Sequence, residues 1–143
     1  MRTPRYAFPV PYAVHHPAPP APEDRMSAHP VEPPAGAAIP RPERTPESLR
    51  LALARVAPHR LGEMESQKNE AFALAAEHNN LGPIHQWLTI WAGEVEIERR
   101  TDLAARRRNA EHAAHTLDRD DPAWRDAMSE LLAVVNEARE STA

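Results

Sequence analysis

The chain has 143 residues, a formal net charge of −4 and no cysteine, which excludes disulfides, thiolate metal sites and cysteine nucleophiles. The acidic balance argues against a chain that binds nucleic acid through its overall charge. Thirteen of the sixteen prolines lie in residues 1–46, and this distribution predicts one folded domain preceded by an arm.

Residues 1–44 are predicted to form a disordered proline-rich arm, because prolines donate no backbone hydrogen bonds and the segment has little apolar surface to bury. Its proline clusters at 19–22 and 30–33 either dock into an SH3-like groove or belong to a flexible spacer. The start lacks the apolar run of a signal peptide, and no segment has the 18 consecutive apolar residues of a membrane span. A cytoplasmic location is therefore expected.

The folded domain is predicted to span residues 45–143. Its first helix starts with Thr45 as N-cap and Pro46 at the first helical position, and it ends before Pro58. A second helix is expected from about Arg60 to His78, where two asparagines and a glycine favour a left-handed C-cap.

The third predicted helix, from Pro83 to about Arg100, has the broadest apolar face and is expected to contact two or more neighbours. A fourth helix follows directly, and a last one runs from Pro122 to about Arg139. Short connections favour antiparallel neighbours. The expected fold is all-α, a compact antiparallel bundle of four main helices plus a short N-terminal helix.

Apolar residues at helical spacing predict the core of this bundle. The predicted core residues are Leu53, Phe72, Ile84, Trp87, Leu88, Trp91, Val95, Trp124 and Leu131.

Charged residues interrupt several of the apolar stripes. Lys68, Glu98 and Arg107 fall on faces that the spacing predicts to be buried, and a buried charge without a partner is costly. We therefore expect Arg107 to pair with Glu94 or Glu98 and to fix the register of the third and fourth helices. Alternatively, the polar residues 65–70 face a partner chain. The predicted polar-layer or interaction residues are Lys68, Glu94, Glu98, Arg99, Arg100 and Arg107.

Five arginines lie within residues 99–108, a density typical of a phosphate-contacting surface. Acidic neighbours favour a salt-bridged surface instead. His112 and His115 are candidates for a metal site, although their spacing departs from the His-Glu-x-x-His pattern and a third ligand is not evident. No catalytic residue and no cofactor is predicted.

The run from Arg44 to Trp91, and above all its Leu-x-Pro-Ile-x-x-x-Leu-x-x-Trp core from Leu81, resembles a family of short, uncharacterised actinobacterial proteins. The resemblance covers roughly residues 45–108. Similar small helical domains occur as accessory or antitoxin-like partners of small toxins, so the resemblance implies a protein-binding role and no catalytic residues.

The expected function is therefore a non-enzymatic protein-interaction module whose partner is another protein. The first alternative is a nucleic-acid-associated regulator that uses residues 99–108. The second alternative is a small metal-binding or catalytic protein that uses His112 and His115.

Overall fold

A helix formed by Gly82–Arg99 is the element against which the other helices pack. The computed structural model describes residues 37–143, and within that range it contains helices and no β-strand. The helices are α1 (Pro46–Val56), α2 (Leu61–His78), α3 (Gly82–Arg99), α4 (Thr101–Thr116) and α5 (Pro122–Thr142), with a 3₁₀ turn at Pro58–Arg60. Each of the other four helices contacts α3. The predicted all-α bundle with a short N-terminal helix is confirmed.

Local sequence signals account for the helix ends, which lie within three residues of the predicted positions. The Thr45 hydroxyl accepts a hydrogen bond from the Ser48 backbone N–H (3.2 Å) at the start of α1. The Asp121 carboxylate accepts one from the Ala123 backbone N–H (2.9 Å) at the start of α5. Asn79 caps the C-terminal end of α2, and its φ of 49° is left-handed, a conformation that asparagine tolerates.

The core consists of two apolar clusters, and both include residues of α3. The larger cluster joins α1, α2 and α3 around Trp87 and Trp91, and the smaller one joins Ile97 of α3 to α4 and α5. The two buried indole N–H groups are satisfied, because Trp87 donates to the Met64 carbonyl (3.3 Å) and Trp91 to the Gln67 side chain (3.0 Å). Helix α3 therefore belongs to both halves of the core.

Four of the predicted core residues are buried, namely Leu53, Trp87, Trp91 and Val95. The prediction for Phe72 is wrong, since this side chain is 46% exposed. Helix α2 contacts neither α4 nor α5, so no helix covers the flank on which Phe72 lies.

The other four predicted core residues are only half-buried. Of these, Leu88 packs against the larger cluster, whereas the placement of the other three in the core is corrected. On α5 the fully buried row consists of Ala127, Val134 and Ala138, and the larger apolar side chains lie beside that row. The half-buried residues are Ile84, Leu88, Trp124 and Leu131.

Residues 37–44, which we call the strap, pack against the helices, although the sequence analysis assigned them to the arm. Ile39 is buried in the larger cluster, and the Ala38 backbone N–H donates to the Arg99 carbonyl (2.7 Å). The predicted boundary at residue 45 therefore lies too late. The remainder of the predicted arm, with its two proline clusters, lies outside the described residues.

Within residues 37–143, no helix combines the length and the apolar character needed to cross a membrane.

Candidate functional site

The C-terminal half of α3 carries carboxylates that are held by arginines from neighbouring elements. Glu94 lies at the centre: its carboxylate accepts hydrogen bonds from Arg60 of the 3₁₀ turn (2.6 Å) and from Arg107 of α4 (2.7 Å). The predicted pair between Arg107 and Glu94 is confirmed. Because one carboxylate joins three elements, it fixes how the 3₁₀ turn and α4 sit on α3.

Glu94 is ionised in this setting. Burial disfavours its charged form, but the hydrogen bonds from Arg107 and Arg60 outweigh burial and lower the pKa of Glu94. Arg107 also donates to Glu111 one turn further along α4 (3.1 Å). Glu98, the other predicted partner of Arg107, lies 3.8 Å from Arg60.

Arg60 is a residue that the sequence analysis did not single out. Its guanidinium lies over the Trp91 ring, 5.0 Å from the centroid, and it also bonds Glu63 three residues later (3.2 Å). A cation over an indole face is attracted by the ring, so Arg60 links the charged groups to the apolar cluster. The Arg-x-x-Glu spacing was its only signal in the sequence.

A second charged pair, Glu96–Arg99, is almost completely buried, with side chains 1% and 3% exposed. Arg99 donates to Glu96 through two nitrogens (2.6 and 3.0 Å) and to the Ile39 carbonyl (3.0 Å). Arg41 of the strap also binds Glu96 through two nitrogens (3.2 and 2.8 Å). Burial raises the pKa of Glu96, but the hydrogen bonds from Arg99 and Arg41 outweigh it and lower the pKa. Sequence reasoning missed Glu96 as an ion-pair residue.

Carboxylates of α5 also bind Arg100, which precedes α4, and Arg106, which lies within α4. Arg100 bonds Asp102 (2.7 Å) and lies 3.4 Å from Glu137. Arg106 bonds both Glu130 and Glu137, each at 2.6 Å, and these bonds raise the pKa of Arg106. These partly exposed ion pairs connect α4 to α5 outside the apolar core.

The predicted arginine cluster at residues 99–108 therefore consists mainly of paired side chains. Four of its five members bind carboxylates, and only Arg108 has no carboxylate partner within residues 37–143. This arrangement matches the salt-bridged surface and offers few free charges to phosphates.

A groove of about 490 Å³ lies beside this cluster. It is lined by Arg60, Arg107 and Arg108, and also by Glu98 and Glu111. Because Arg60 and Arg107 are already bound to Glu94, and two acids share the lining, the groove is nearly balanced in charge. Among the arginines that line the groove, only Arg108 has no carboxylate partner within residues 37–143.

The remaining sequence candidates lie apart from these pairs. His112 and His115 are exposed on α4, and within residues 37–143 no three potential metal ligands come together. Lys68 pairs with Glu65 (2.9 Å), which also binds Arg50 (3.0 Å). Part of the polar stretch at 65–70 is thus used within the chain.

Helix α5 exposes an apolar surface that we call the α5 stripe. Met128 and Leu132, one turn apart, are 41% and 62% exposed. The half-buried Trp124, Leu131 and Val135 lie at helical spacing beside them and make the surface continuous. The α5 stripe consists of Trp124, Met128, Leu131, Leu132 and Val135.

Two arginines border the α5 stripe on its outer side. Arg125 and Arg139 lie seven residues before and seven after Leu132, and seven residues bring a helical side chain back to within about 20°. Both are exposed, and neither has a carboxylate partner among residues 37–143. The stripe is therefore apolar with a basic rim.

No protein-family profile, no curated protein and no solved structure matches this chain. The resemblance to the actinobacterial family stays a prediction.

Proposed function

We propose that this chain is a protein-interaction module and that the α5 stripe is the surface that contacts the partner. The observation that carries the proposal is the exposure of Met128 and Leu132 within a continuous apolar face. Large apolar side chains that remain in water forgo roughly 1.5–3 kcal/mol each relative to burial. A contiguous patch of them on a folded domain is typical of a protein-binding site.

The charges near the stripe indicate the chemistry of the partner. Arg125 and Arg139 extend the apolar row at both ends, and they are not used in ion pairs within the described chain. Complementary surfaces place acidic groups opposite such residues. The partner that fits best presents an amphipathic helix whose apolar face is flanked by acidic residues.

The buried carboxylates of α3 are used within the fold. The carboxylates of Glu94 and Glu96 have lowered pKa values and are bound by arginines, so they serve as ionised acceptors within the fold. The resemblance described above, which implies that this chain is itself an antitoxin-like partner of a toxin, is in keeping with a protein-binding role.

The test is capture of a partner by the tagged full chain from the cells that express it. The variant with Met128→Gln and Leu132→Gln is expected to lose a partner that the wild type retains in stoichiometric amount. The matched control carries Ser129→Gln and Ala133→Gln, which are exposed, have the same spacing and lie on the neighbouring face of the same helix.

Charge reversal supplies a second readout. Replacing Arg125 and Arg139 by Glu is expected to weaken capture and to reduce its sensitivity to salt, because exposed charge contacts are screened by salt. A wild-type chain that captures no stoichiometric partner, or a partner that both glutamine variants retain equally, would contradict the proposal.

A further inference from the structure

The strap is held by contacts to its main chain, of the kind that also bind peptides. The Ala38 N–H donates to the Arg99 carbonyl (2.7 Å), and the Arg99 side chain donates to the Ile39 carbonyl (3.0 Å). Ala37 and Arg100 form an isolated antiparallel bridge. Contacts to the peptide backbone supply affinity whatever the side chains are.

Two alternate side chains of the strap supply the specificity. Ile39 enters the apolar cluster formed by α1, α2 and α3, and Arg41 binds both oxygens of Glu96. Both side chains reach the helices although the strap backbone bends at residues 38 and 39. The helices therefore recognise an apolar residue followed, two positions later, by an arginine.

The floor beneath the strap is charged, and this distinguishes it from ordinary core. Glu96 and Arg99 bond each other independently of the strap, and both bond the strap as well. Burying such a pair is costly, whereas exposing it returns two ions to water. Opening the strap therefore returns this ion pair to water, together with the apolar site that receives Ile39.

We propose that this groove is a peptide-binding site which residues 37–44 occupy in cis. A partner segment of the same chemistry, with an apolar residue and an arginine two positions later, displaces the strap and takes its place. This inference rests on the proposed role in protein binding but uses a surface distinct from the α5 stripe. The strap then competes with the partner segment for the groove within the same chain.

The test uses the full chain with Ile39→Ser and Arg41→Ser, in which the strap no longer fills the groove. The probe is a fluorescently labelled synthetic peptide of residues 37–44, followed by anisotropy. The peptide is expected to bind this variant and to bind the wild-type chain at least about tenfold more weakly, since a tethered competitor acts at an effective concentration in the millimolar range.

Two altered peptides separate recognition from non-specific attachment. The peptide with Arg41→Ala loses both bonds to Glu96 and is expected to bind about tenfold more weakly. The matched control peptide carries Glu43→Ala, at an exposed position whose side chain has no partner within the described residues, and its affinity should not change. Equal binding to wild type and variant, or no binding at all, would overturn the inference.

Hydrogen exchange of the wild-type chain tests the strap without a substitution. The hydrogen bond from the Ala38 amide to the Arg99 carbonyl forms only while the strap is docked. This amide should therefore exchange about 100-fold faster, or more, than the Val95 amide in the middle of α3. Equal protection would show that the strap opens only when the domain unfolds. Loss of helical circular dichroism in the Ile39→Ser, Arg41→Ser variant would lead to the same conclusion and would also overturn the inference.

The two proposals fail separately. A partner whose capture depends on Met128 and Leu132, combined with no peptide binding, removes the strap inference and leaves the interaction module. Peptide binding without a partner on the α5 stripe removes the role of that stripe and leaves the strap inference.

Discussion

Glu94 and Glu96 show how two residues in one helix serve different parts of the molecule. They are two apart, so their side chains leave α3 in directions about 160° from each other. Glu94 binds the 3₁₀ turn and α4, whereas Glu96 binds the strap. The apolar spacing of the sequence predicted the first role, because Arg107 interrupts a stripe. It gave no sign of the second, because the strap lies in a proline-rich segment whose composition is typical of disorder.

Glu94→Gln is expected to lower the free energy of unfolding by about 2 kcal/mol, because Arg60 and Arg107 both lose a charged acceptor while remaining partly buried. Urea denaturation measures the change. Glu111→Gln is the control: Glu111 is more exposed and binds Arg107 alone, so its loss should cost less than about 0.5 kcal/mol. Equal effects of the two substitutions would show that the three-element junction contributes nothing of its own.

Acid should destabilise the domain through the same two carboxylates. Their pKa values are lower in the folded chain than the ordinary value of 4.5, so on acidification the unfolded chain takes up protons first. The stabilisation is present in full above that range and is lost as pH falls below about 4.5 towards the folded-state values. Unfolding free energies measured at pH 7, 5, 4 and 3 should therefore decline at the acid end. The decline should be shallower in Glu94→Gln, and an unchanged slope would contradict the assignment.

At the scale of the elements, helix starts were predictable because they depend on neighbours in sequence. Thr45 and Asp121 act as caps where their residue types indicate. Burial depends on which helices come together, and the spacing of one helix does not contain that information. Phe72 lies on an apolar flank of α2 but is exposed, since α4 and α5 pack elsewhere on α3. Trp124 is only half-buried, because the residues of α5 that face the core are Ala127, Val134 and Ala138.

Gly93 of α3 lies close to α5. A Cβ at this position would lie 3.2 Å from the Cγ of Arg139, an exposed and flexible side chain, and 4.0 Å from its backbone nitrogen. Gly93→Ala is expected to stabilise the domain by about 0.5 kcal/mol, because the gain in helix propensity exceeds the cost of shifting Arg139. Gly93→Leu meets the α5 backbone and should destabilise by about 1–3 kcal/mol. Thermal and urea unfolding of both variants measure the sign, and a destabilised alanine variant would contradict the prediction.

At the scale of the whole described chain, residues 37–143 contain two apolar clusters joined by one helix. Since α3 contributes to both clusters, displacing α3 from one cluster also disturbs the packing of the other cluster. Glu94 adds a second connection between the halves through Arg60 and Arg107. The sequence predicted the central position of α3 from its wide apolar arc, but not the division of the core.

This arrangement predicts cooperative unfolding of residues 37–143. In urea, far-ultraviolet circular dichroism and tryptophan fluorescence should give the same midpoint, although Trp87 and Trp91 lie in the larger cluster and Trp124 lies on α5. Replacing Trp124 by Phe isolates the signal of the larger cluster and should leave the two midpoints together. Separate midpoints would mean that α4 and α5 detach from α3 before the rest unfolds.

Lys68 has a consequence for chemical labelling. It is the only lysine of the chain, placed on α2 one turn before the exposed Phe72, and its ammonium group is held by Glu65. An amine-reactive reagent therefore has one side-chain target, which reports on a single known point of the surface. A lysine-specific protease has one bond to cleave in the whole chain, in the middle of a helix. The appearance of two fragments would therefore time the opening of α2 directly, without any engineered site.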